Sequence, residues 1–211
     1  MTKENPYDQR YSGDELYWGR KPSTLCDRLL EFDAPDAKRQ PTLIDLGAGE
    51  GRNAIFLAQQ GYAVTALDLS PQGIVKARQM AAEAGVKLEA VVDDICDCSL
   101  GDTFDVVFST GTFHYIPPEI RSERVEYFKQ HTTTAGIHAI SVLVQKPFIA
   151  EAPDHEADVQ LFKSGELLSY YWDWEIRFSV EEIFDCNSGG IPHRHAVNRM
   201  IARQPQATDG H

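Results

Sequence analysis

Asp45, Gly47, Gly49 and Gly51 stand at alternate positions at the end of a short apolar run, Leu43 to Leu46, and directly ahead of Arg52 and Asn53. Pro41 bounds the run in front and glycines bound it behind, so it reads as a buried strand. From Ala54 the residues Ile55, Leu57, Ala58 and Tyr62 keep helical spacing, and Gly61 is placed to end the helix. A strand, a glycine turn and a helix N-terminus together make a cradle for an anion. The glycines let a ligand approach the backbone, while the helix start offers free N–H groups and a positive dipole end. The dinucleotide pattern G-x-G-x-x-G would place its third glycine where Arg52 stands, which argues against an NAD-type oxidoreductase. No Gly-Lys-Ser/Thr follows, so the phosphate loop is excluded as well.

A second acid closes the constellation. Ala63 to Asp68 is another short apolar run, and Asp68 lies seventeen residues beyond Gly51, one helix and one loop further on. That spacing sets its carboxylate beside the glycine turn, where it can accept the hydrogens of two ribose hydroxyls. The alternative is that Asp68 caps the next helix. Ser70, ahead of Pro71, can take that task and release Asp68 for a ligand.

The elements that position these residues alternate. Ser23 to Phe32 predicts a helix with Leu25, Leu29, Leu30 and Phe32 on one side. Pro71 to Gly85 predicts another with Ile74, Val75, Ala77, Ala81 and Ala82 buried. Lys87 to Val92 is a third strand, ending at Asp93-Asp94-Ile95. Thr103 to Tyr115 contains a fourth, Glu119 to His131 is a helix, and Gly136 to Val144 is a fifth strand. Strands alternating with helices predict an α/β fold with a doubly wound, mostly parallel sheet. Gln145 to Phe162 breaks the pattern with Pro147, Pro153, Asp154, His155, Glu156 and Asp158, and long loops of this kind are often functional. Gly165 to Trp174 predicts a short aromatic helix. Glu175–Asp185 and His195–Ala202 flank Gly189-Gly190 as a terminal antiparallel hairpin.

Composition narrows the function classes. A length of 211 residues suits one domain, and 42% apolar with 25% charged residues is ordinary for a globular chain. A formal charge of −12 without a Lys/Arg cluster argues against nucleic acid and against anionic membranes. No run reaches the roughly 20 apolar residues of a membrane span, and Met1 to Pro6 shows no apolar signal region. The expected location is cytoplasmic, since four cysteines, Cys26, Cys96, Cys98 and Cys186, make no disulfide framework. No metal site is expected: Cys96 and Cys98 would need further Cys or His ligands at suitable distance, Cys26 and Cys186 are too remote in sequence to judge, and the pair reads as buried cysteines, although soft thiolates also bind arsenic or tellurium species.

The motif D-x-G-x-G-x-G resembles motif I of class I S-adenosylmethionine (SAM)-dependent methyltransferases, in which the anion at the helix start is the methionine carboxylate. The match sharpens toward the bacterial tellurite-resistance methyltransferases. Its carriers are Tyr7-Asp8-Gln9-Arg10-Tyr11, Tyr17-Trp18-Gly19 and Pro22-Ser23, the run Gly47 to Ala54 in the form G-x-G-x-G-R-N, and Phe104-Asp105-Val106-Val107. Phe162 to Leu167, Tyr170-Tyr171, Trp174 and Met200 to Arg203 complete it. The resemblance implies a seven-stranded Rossmann-like sheet and a single domain spanning 1–211. Within it, 1–23 is an aromatic leader, 42–144 the SAM-binding core, 145–174 the substrate-side loop and helix, and 175–203 the hairpin. The leader, otherwise a flap over the sheet edge, is then a lid on the cofactor. Implied cofactor contacts are Tyr11, Trp18, Asp45, Gly47, Gly49, Gly51, Arg52, Asn53, Asp68, Leu69 and Thr110, with Asp94 and Ile95 holding the adenine. Asp93 reads instead as a turn cap.

The implied activity is methyl transfer to a small molecule, with a tellurite- or selenite-type oxyanion or a thiol leading. A soft, anionic acceptor needs no general base. An oxygen or nitrogen acceptor would, and His114, Tyr17 and His193 are the candidates. His114 either orients a substrate or caps the next helix. The His-Arg pair associated with catalysis in the best-known members is replaced here by Phe184-Asp185, and the nearest basic cluster is His193-Arg194-His195. A SAM-binding protein without catalysis is the other reading of the same cradle.

Overall fold

The computed structural model describes residues 6–36, 38–150, 159–187 and 191–206. The chain runs α1 (Pro6–Tyr11), α2 (Thr24–Asp33), β1 (Thr42–Leu46), α3 (Arg52–Gln59), β2 (Ala63–Asp68), α4 (Pro71–Ala84) and β3 (Glu89–Val92). It continues through β4 (Phe104–Thr110), a 3-10 turn (Phe113–Tyr115), α5 (Pro118–Gln130), β5 (Thr132–Val144), α6 (Glu166–Ser169), β6 (Glu175–Cys186) and β7 (His193–Arg203). One seven-stranded sheet has the order β3-β2-β1-β4-β5-β7-β6. The first five strands in that order are parallel, while β7 is antiparallel to both β5 and β6, so the terminal hairpin extends the sheet at one edge.

The period of two along each strand divides the core. Leu43, Val106, Phe108, Ile137 and Ala139 meet Leu25, Leu29, Ala54, Leu57 and Ile74 from α2, α3 and α4 on one face. Ile44, Leu46, Val107, Ile140 and Val142 meet Val125 and Phe128 of α5, with Phe162, Tyr171 and Trp174, on the other. Both faces are covered, as a parallel sheet requires. The chain reverses its winding between β1 and β4, and in such sheets ligands bind at that switch point, outside the strands' carboxyl ends.

Several boundaries depart from the sequence expectation for identifiable reasons. Tyr62 lies beyond α3, because Gly61 at φ 104° ends the helix, and the buried Tyr62 hydroxyl donates to the Asp33 carbonyl at the end of α2. In α4, Val75 and Ala82 face solvent, while Gly73, Ile74, Ala77, Met80 and Ala81 form the buried stripe. Strand β3 starts at Glu89, where pairing with Thr65 of β2 begins. Strand β5 starts early, at Thr132, and then bulges: Ala135 takes φ 62°, and a Cβ on Gly136 would press on the Thr133 and Asp105 carbonyls. The aromatic helix is confined to Glu166–Ser169, after which Tyr171 and Trp174 turn inward onto His138, whose Nδ1 pairs with the Tyr171 hydroxyl at 2.7 Å. Phe162 returns the loop after β5 to the sheet, its N–H donating to the Leu143 carbonyl at 3.0 Å. The loop residues Pro153, Asp154, His155, Glu156 and Asp158 and the hairpin pair Gly189-Gly190 lie outside the described residues. Among the described residues no helix is long and apolar enough to cross a membrane.

Candidate active site

The glycine turn forms at the carboxyl end of β1, and each of its glycines has a positive φ: 77° at Gly47, 56° at Gly49 and 86° at Gly51. Gly47 and Gly49 also have no room for a side chain. A Cβ on Gly47 would overlap the Thr112 side chain, and one on Gly49 would lie 2.8 Å from the Tyr11 hydroxyl. Asp68 spans the turn from β2. Its Oδ2 accepts the Gly49 N–H at 2.7 Å and its Oδ1 the Ser70 N–H at 2.8 Å. Burial raises the Asp68 pKa, and those two backbone donors pull against the rise. Ser70 caps α4, its hydroxyl accepting from the Gly73 N–H at 3.1 Å. Asp68 is therefore both a clamp on the turn and an acceptor with lone pairs to spare.

Asp45 sits under the same turn, 1% exposed, and neither of its carboxylate oxygens has a hydrogen-bond partner among the described residues. Burial pushes its pKa up to about 7, the Asp68 charge adds to the rise, and the Arg52 charge opposes it. A buried, unpaired acid is costly, so this group favours a neutral form or a cationic neighbour. The folded chain holds the Asp45 proton more tightly than the unfolded chain does. Stability from this group is thus present at low pH and is lost as pH rises from 3.8 through about 7. Asp45→Asn is expected to be more stable than the parent by about 1–3 kcal/mol at pH 8, with the difference vanishing toward pH 4. Thermal unfolding of both proteins across that range checks it, and a difference independent of pH would refute the assignment.

The aromatic leader lies directly on this turn. Tyr11 is 3% exposed; a Cβ on Gly73 would meet its ring at 3.1 Å, and its hydroxyl accepts the Trp18 indole N–H at 2.9 Å. Burial, with the Asp68 charge second, raises the Tyr11 pKa far above the usual phenol value. Trp18 is held at three points. Its backbone N–H donates to Glu50 at 3.2 Å, its carbonyl accepts from Arg52 at 2.9 Å, and the Arg52 guanidinium lies 5.6 Å over its ring. Asp8 accepts from the Ser70 hydroxyl, and Tyr7 meets Tyr115 hydroxyl to hydroxyl at 2.7 Å. The leader thus spans from α4 to the segment after β4, across the switch point.

Other expected residues have different settings. Asn53 is buried; its Oδ1 accepts the Ser23 N–H at 2.8 Å, and its Nδ2 donates to the Thr110 hydroxyl at 3.0 Å. It pins α2, α3 and β4 together, a positioning role. Leu69 is half exposed at the end of β2, and Ile95 is buried in the core. Asp94 Oδ1 accepts the Cys96 N–H at 2.8 Å, and Asp93 accepts the Asp94 N–H at 2.8 Å, so both acids hold turns. Cys98 is buried beside the Arg124 guanidinium, and Cys96 contacts the Tyr115 carbonyl; burial raises their thiols to about 11 and about 12, as befits inert cysteines.

The three candidate bases do not converge on one point. His114 is 3% exposed in the 3-10 turn, with its ring 4.7 Å from Tyr115, and it caps no helix, since Pro117 occupies that place before α5. Tyr17 is partly exposed on the outside of the leader, edge-on to Trp18 at 4.8 Å. His193 stands at the hairpin tip, its ring nitrogens engaged by the Ile191 carbonyl and by His195. Two residues escaped the sequence reading. Glu50, 2% exposed, pairs with Lys76 at 2.9 Å while anchoring Trp18, and Thr112 closes on Gly47 from sixty-five residues away. Glu50 lay inside the glycine motif, yet its partner sits on another helix, and no local pattern signals the approach of Thr112.

A sheet wound in both directions, an acid and three left-handed glycines at its switch point, and a second acid gripping that turn from the next strand define the class I SAM-dependent methyltransferase fold. Residues 31–189 match the family described as tellurite resistance protein TehB, and the chain belongs to that family. It is 26% identical over 197 residues to the "Probable S-adenosyl-L-methionine-dependent methyltransferase TehB" of Haemophilus influenzae, covering 92% of this chain and 68% of that protein. It is 35% identical over 165 residues to "Hemagglutinin 1" of Eikenella corrodens, covering 77% of this chain but only 54% of that protein, so it spans about half the length of that relative. The crystal structure of TehB from Haemophilus influenzae superposes with a TM-score of 0.76 at 21% identity, over 94% of this chain and 66% of the other.

Proposed function

We propose that this chain transfers a methyl group from SAM to a small, soft nucleophile of the chalcogen-oxyanion or thiol class. The observation that carries the reading is the leader closed over the glycine turn, with Tyr11 buried against Gly49 and Gly73. A site roofed by an aromatic flap suits a small acceptor rather than a nucleic acid, and the −12 charge points the same way.

SAM, held there, would supply an electrophilic methyl on its sulfonium for the acceptor's lone pair, leaving as a neutral thioether. The chain's residues fit such a group. Gly47, Gly49 and Gly51 hold the left-handed turn on which the methionine end would rest, and the buried Asp45 carboxylate sits where an ammonium would relieve its burial. Asp68 has unused lone pairs for ribose hydroxyls, with Leu69 beside it as apolar cover. Asp94 and Ile95 border the adenine end, and Thr110 ends β4 at the transfer side. Arg52 and Trp18 latch the leader, which excludes water and holds the acceptor in line; such positioning can supply about 7–11 kcal/mol of a bimolecular barrier. A soft anion reacts without a base. For an oxygen or nitrogen acceptor, His114 is the best placed of the three candidates, being buried within the segment that follows β4. Four cysteines free of disulfides fit a reducing, cytoplasmic setting.

The direct test is SAM consumption over a panel of tellurite, selenite, small thiols and a tRNA pool. Turnover on a chalcogen anion or thiol is the expected result, and turnover on tRNA alone would overturn the proposal. The lid has its own test. Trp18→Ala removes the bond to Tyr11 and the stack under Arg52 at a partly exposed position, and is expected to lower kcat about tenfold with little change in Tm. An unchanged kcat would show that the leader is only a flap.

A further inference from the structure

The hairpin tip gathers three metal-ligating side chains that methyl transfer to a soft anion leaves unused, His193 being a candidate base only for an oxygen or nitrogen acceptor. Cys186 ends β6 and pairs directly across the antiparallel ladder with His193, the first residue of β7. His195 lies two residues further along β7, so the strand's period of two sets both imidazoles on one face, with Arg194 turned to the other. The Cys186 Sγ and one ring nitrogen from each histidine all lie within 4.8 Å of one another, and all three residues are half-buried. We propose that Cys186, His193 and His195 form a binding site for a borderline-soft divalent transition metal, of which zinc(II) is the prototype.

Four features support this donor set as a site. First, thiolate and imidazole are the ligands that zinc prefers, and three of them with a fourth position left to solvent or a soft anion is a familiar coordination pattern. Second, the two imidazoles aim at a common point. Their Nε2 atoms are 2.8 Å apart, a distance at which one ring must carry the proton that the other accepts. A metal ion replaces that shared proton once the nitrogens open to the roughly 3.3 Å that tetrahedral ligation sets. Third, His193 already has its outer partner. Its Nδ1 lies 2.7 Å from the Ile191 carbonyl, the arrangement that fixes a ligating tautomer and turns Nε2 toward the ion. Fourth, Phe184, the residue paired with His195, lays its ring 5.6 Å from that imidazole and shelters one side of the cluster.

The site is independent of the SAM cradle. It lies past the Val144–Ala196 pair, the last rung joining β5 to β7, so its ligands come from the hairpin alone and need no other part of the fold to move. Metal ligation would cross-link the tips of β6 and β7 at the edge of the sheet.

The test uses the untagged full-length chain, titrated with zinc(II) against a chromophoric chelator and separately with cobalt(II). One equivalent of each ion is expected to bind, and the cobalt form is expected to show a thiolate charge-transfer band in the near ultraviolet. Cys186→Ser should abolish the band, and His195→Gln should weaken zinc binding at least about tenfold. A band that survives Cys186→Ser, or an affinity indifferent to both changes, would overturn the site. Should a variant fold poorly, the parent chain decides: one equivalent of zinc(II) is expected to shield Cys186 from alkylation, read by peptide mass, while leaving Cys96 as reactive as before. Equal alkylation of Cys186 with and without zinc(II) would refute the proposal.

Discussion

Replacing Gly49 with valine is expected to abolish binding of SAM and of its demethylated product while leaving the domain folded. Gly49 holds φ 56°, where a side chain costs about 1–2 kcal/mol, and a β-branched one more. Its N–H is also the donor gripped by Asp68, so a backbone that relaxes toward negative φ loses that bond. A side chain there would project into the cradle, at 2.8 Å from the present position of the Tyr11 hydroxyl, and displace both the leader and any ligand beneath it. The loss of stability is small against the net 5–15 kcal/mol of a typical domain, because the turn lies beyond the carboxyl end of β1 and its change leaves the sheet's ladders and both core clusters in place. Calorimetry with SAM and its product should show Kd raised at least about 100-fold, a change worth about 2.8 kcal/mol. Gly49→Ala should give a smaller effect of the same sign. Normal affinity in the valine variant, with an intact circular dichroism spectrum, would mean that the turn is not the cofactor cradle.

The winding of the sheet was legible because each element carried its own period. β1, β2 and β4 are short apolar runs bounded by breakers, and α4 is bracketed by Ser70-Pro71 and Gly85, so type and order follow from local pattern. The failures came where tertiary contacts overrode that pattern. Val75 and Ala82 fit an apolar stripe on paper, but the stripe α4 buries is set by Gly73, on which Tyr11 packs, and by Met80. Tyr62 kept a helical spacing only because Gly61 delivers its ring under α2 from outside the helix. Tyr171 and Trp174 belong to no helix at all. They are placed by His138, a buried histidine whose pKa is depressed to about 3 by burial and by Lys129, and whose strand position gave no hint of a partner 33 residues later.

The same division runs through the site. Asp45, the glycines and Asp68 could be found because strand, turn, helix and strand put them together at short sequence range. Contacts across the chain could not: Glu50 with Lys76, Thr112 with Gly47 and Tyr7 with Tyr115 depend on α4 and the segment after β4 folding back over the turn. The Cys186, His193 and His195 cluster is the sharpest case. Cys186 is remote from Cys96 and Cys98 in the sequence, yet the hairpin makes it the direct neighbour of a histidine seven residues on.

Asp68→Ala is expected to weaken SAM binding about 100-fold or more and, separately, to lower the Tm of the unliganded protein by roughly 5–10 °C. The two effects have different origins. The carboxylate accepts the Gly49 and Ser70 N–H groups in the free protein, and its removal leaves two donors beside a mostly buried turn without their acceptor. Each such loss costs about 1–3 kcal/mol, which sets the change in Tm. On the proposed reading ligand binding would add its own component, because the spare lone pairs of a charged acceptor would meet two ribose hydroxyls, each worth about 1.5–3 kcal/mol. Asp68→Asn keeps the shape but offers one acceptor oxygen and turns an NH2 group toward the other backbone donor, so it should lose stability as well as affinity. A lowered Tm with unchanged SAM affinity would make Asp68 a turn clamp and remove it from the cofactor contacts. Lowered affinity with unchanged Tm would show that the two backbone bonds hold little of the turn's stability, and both measurements come from one calorimetric titration and one thermal scan of the same variant.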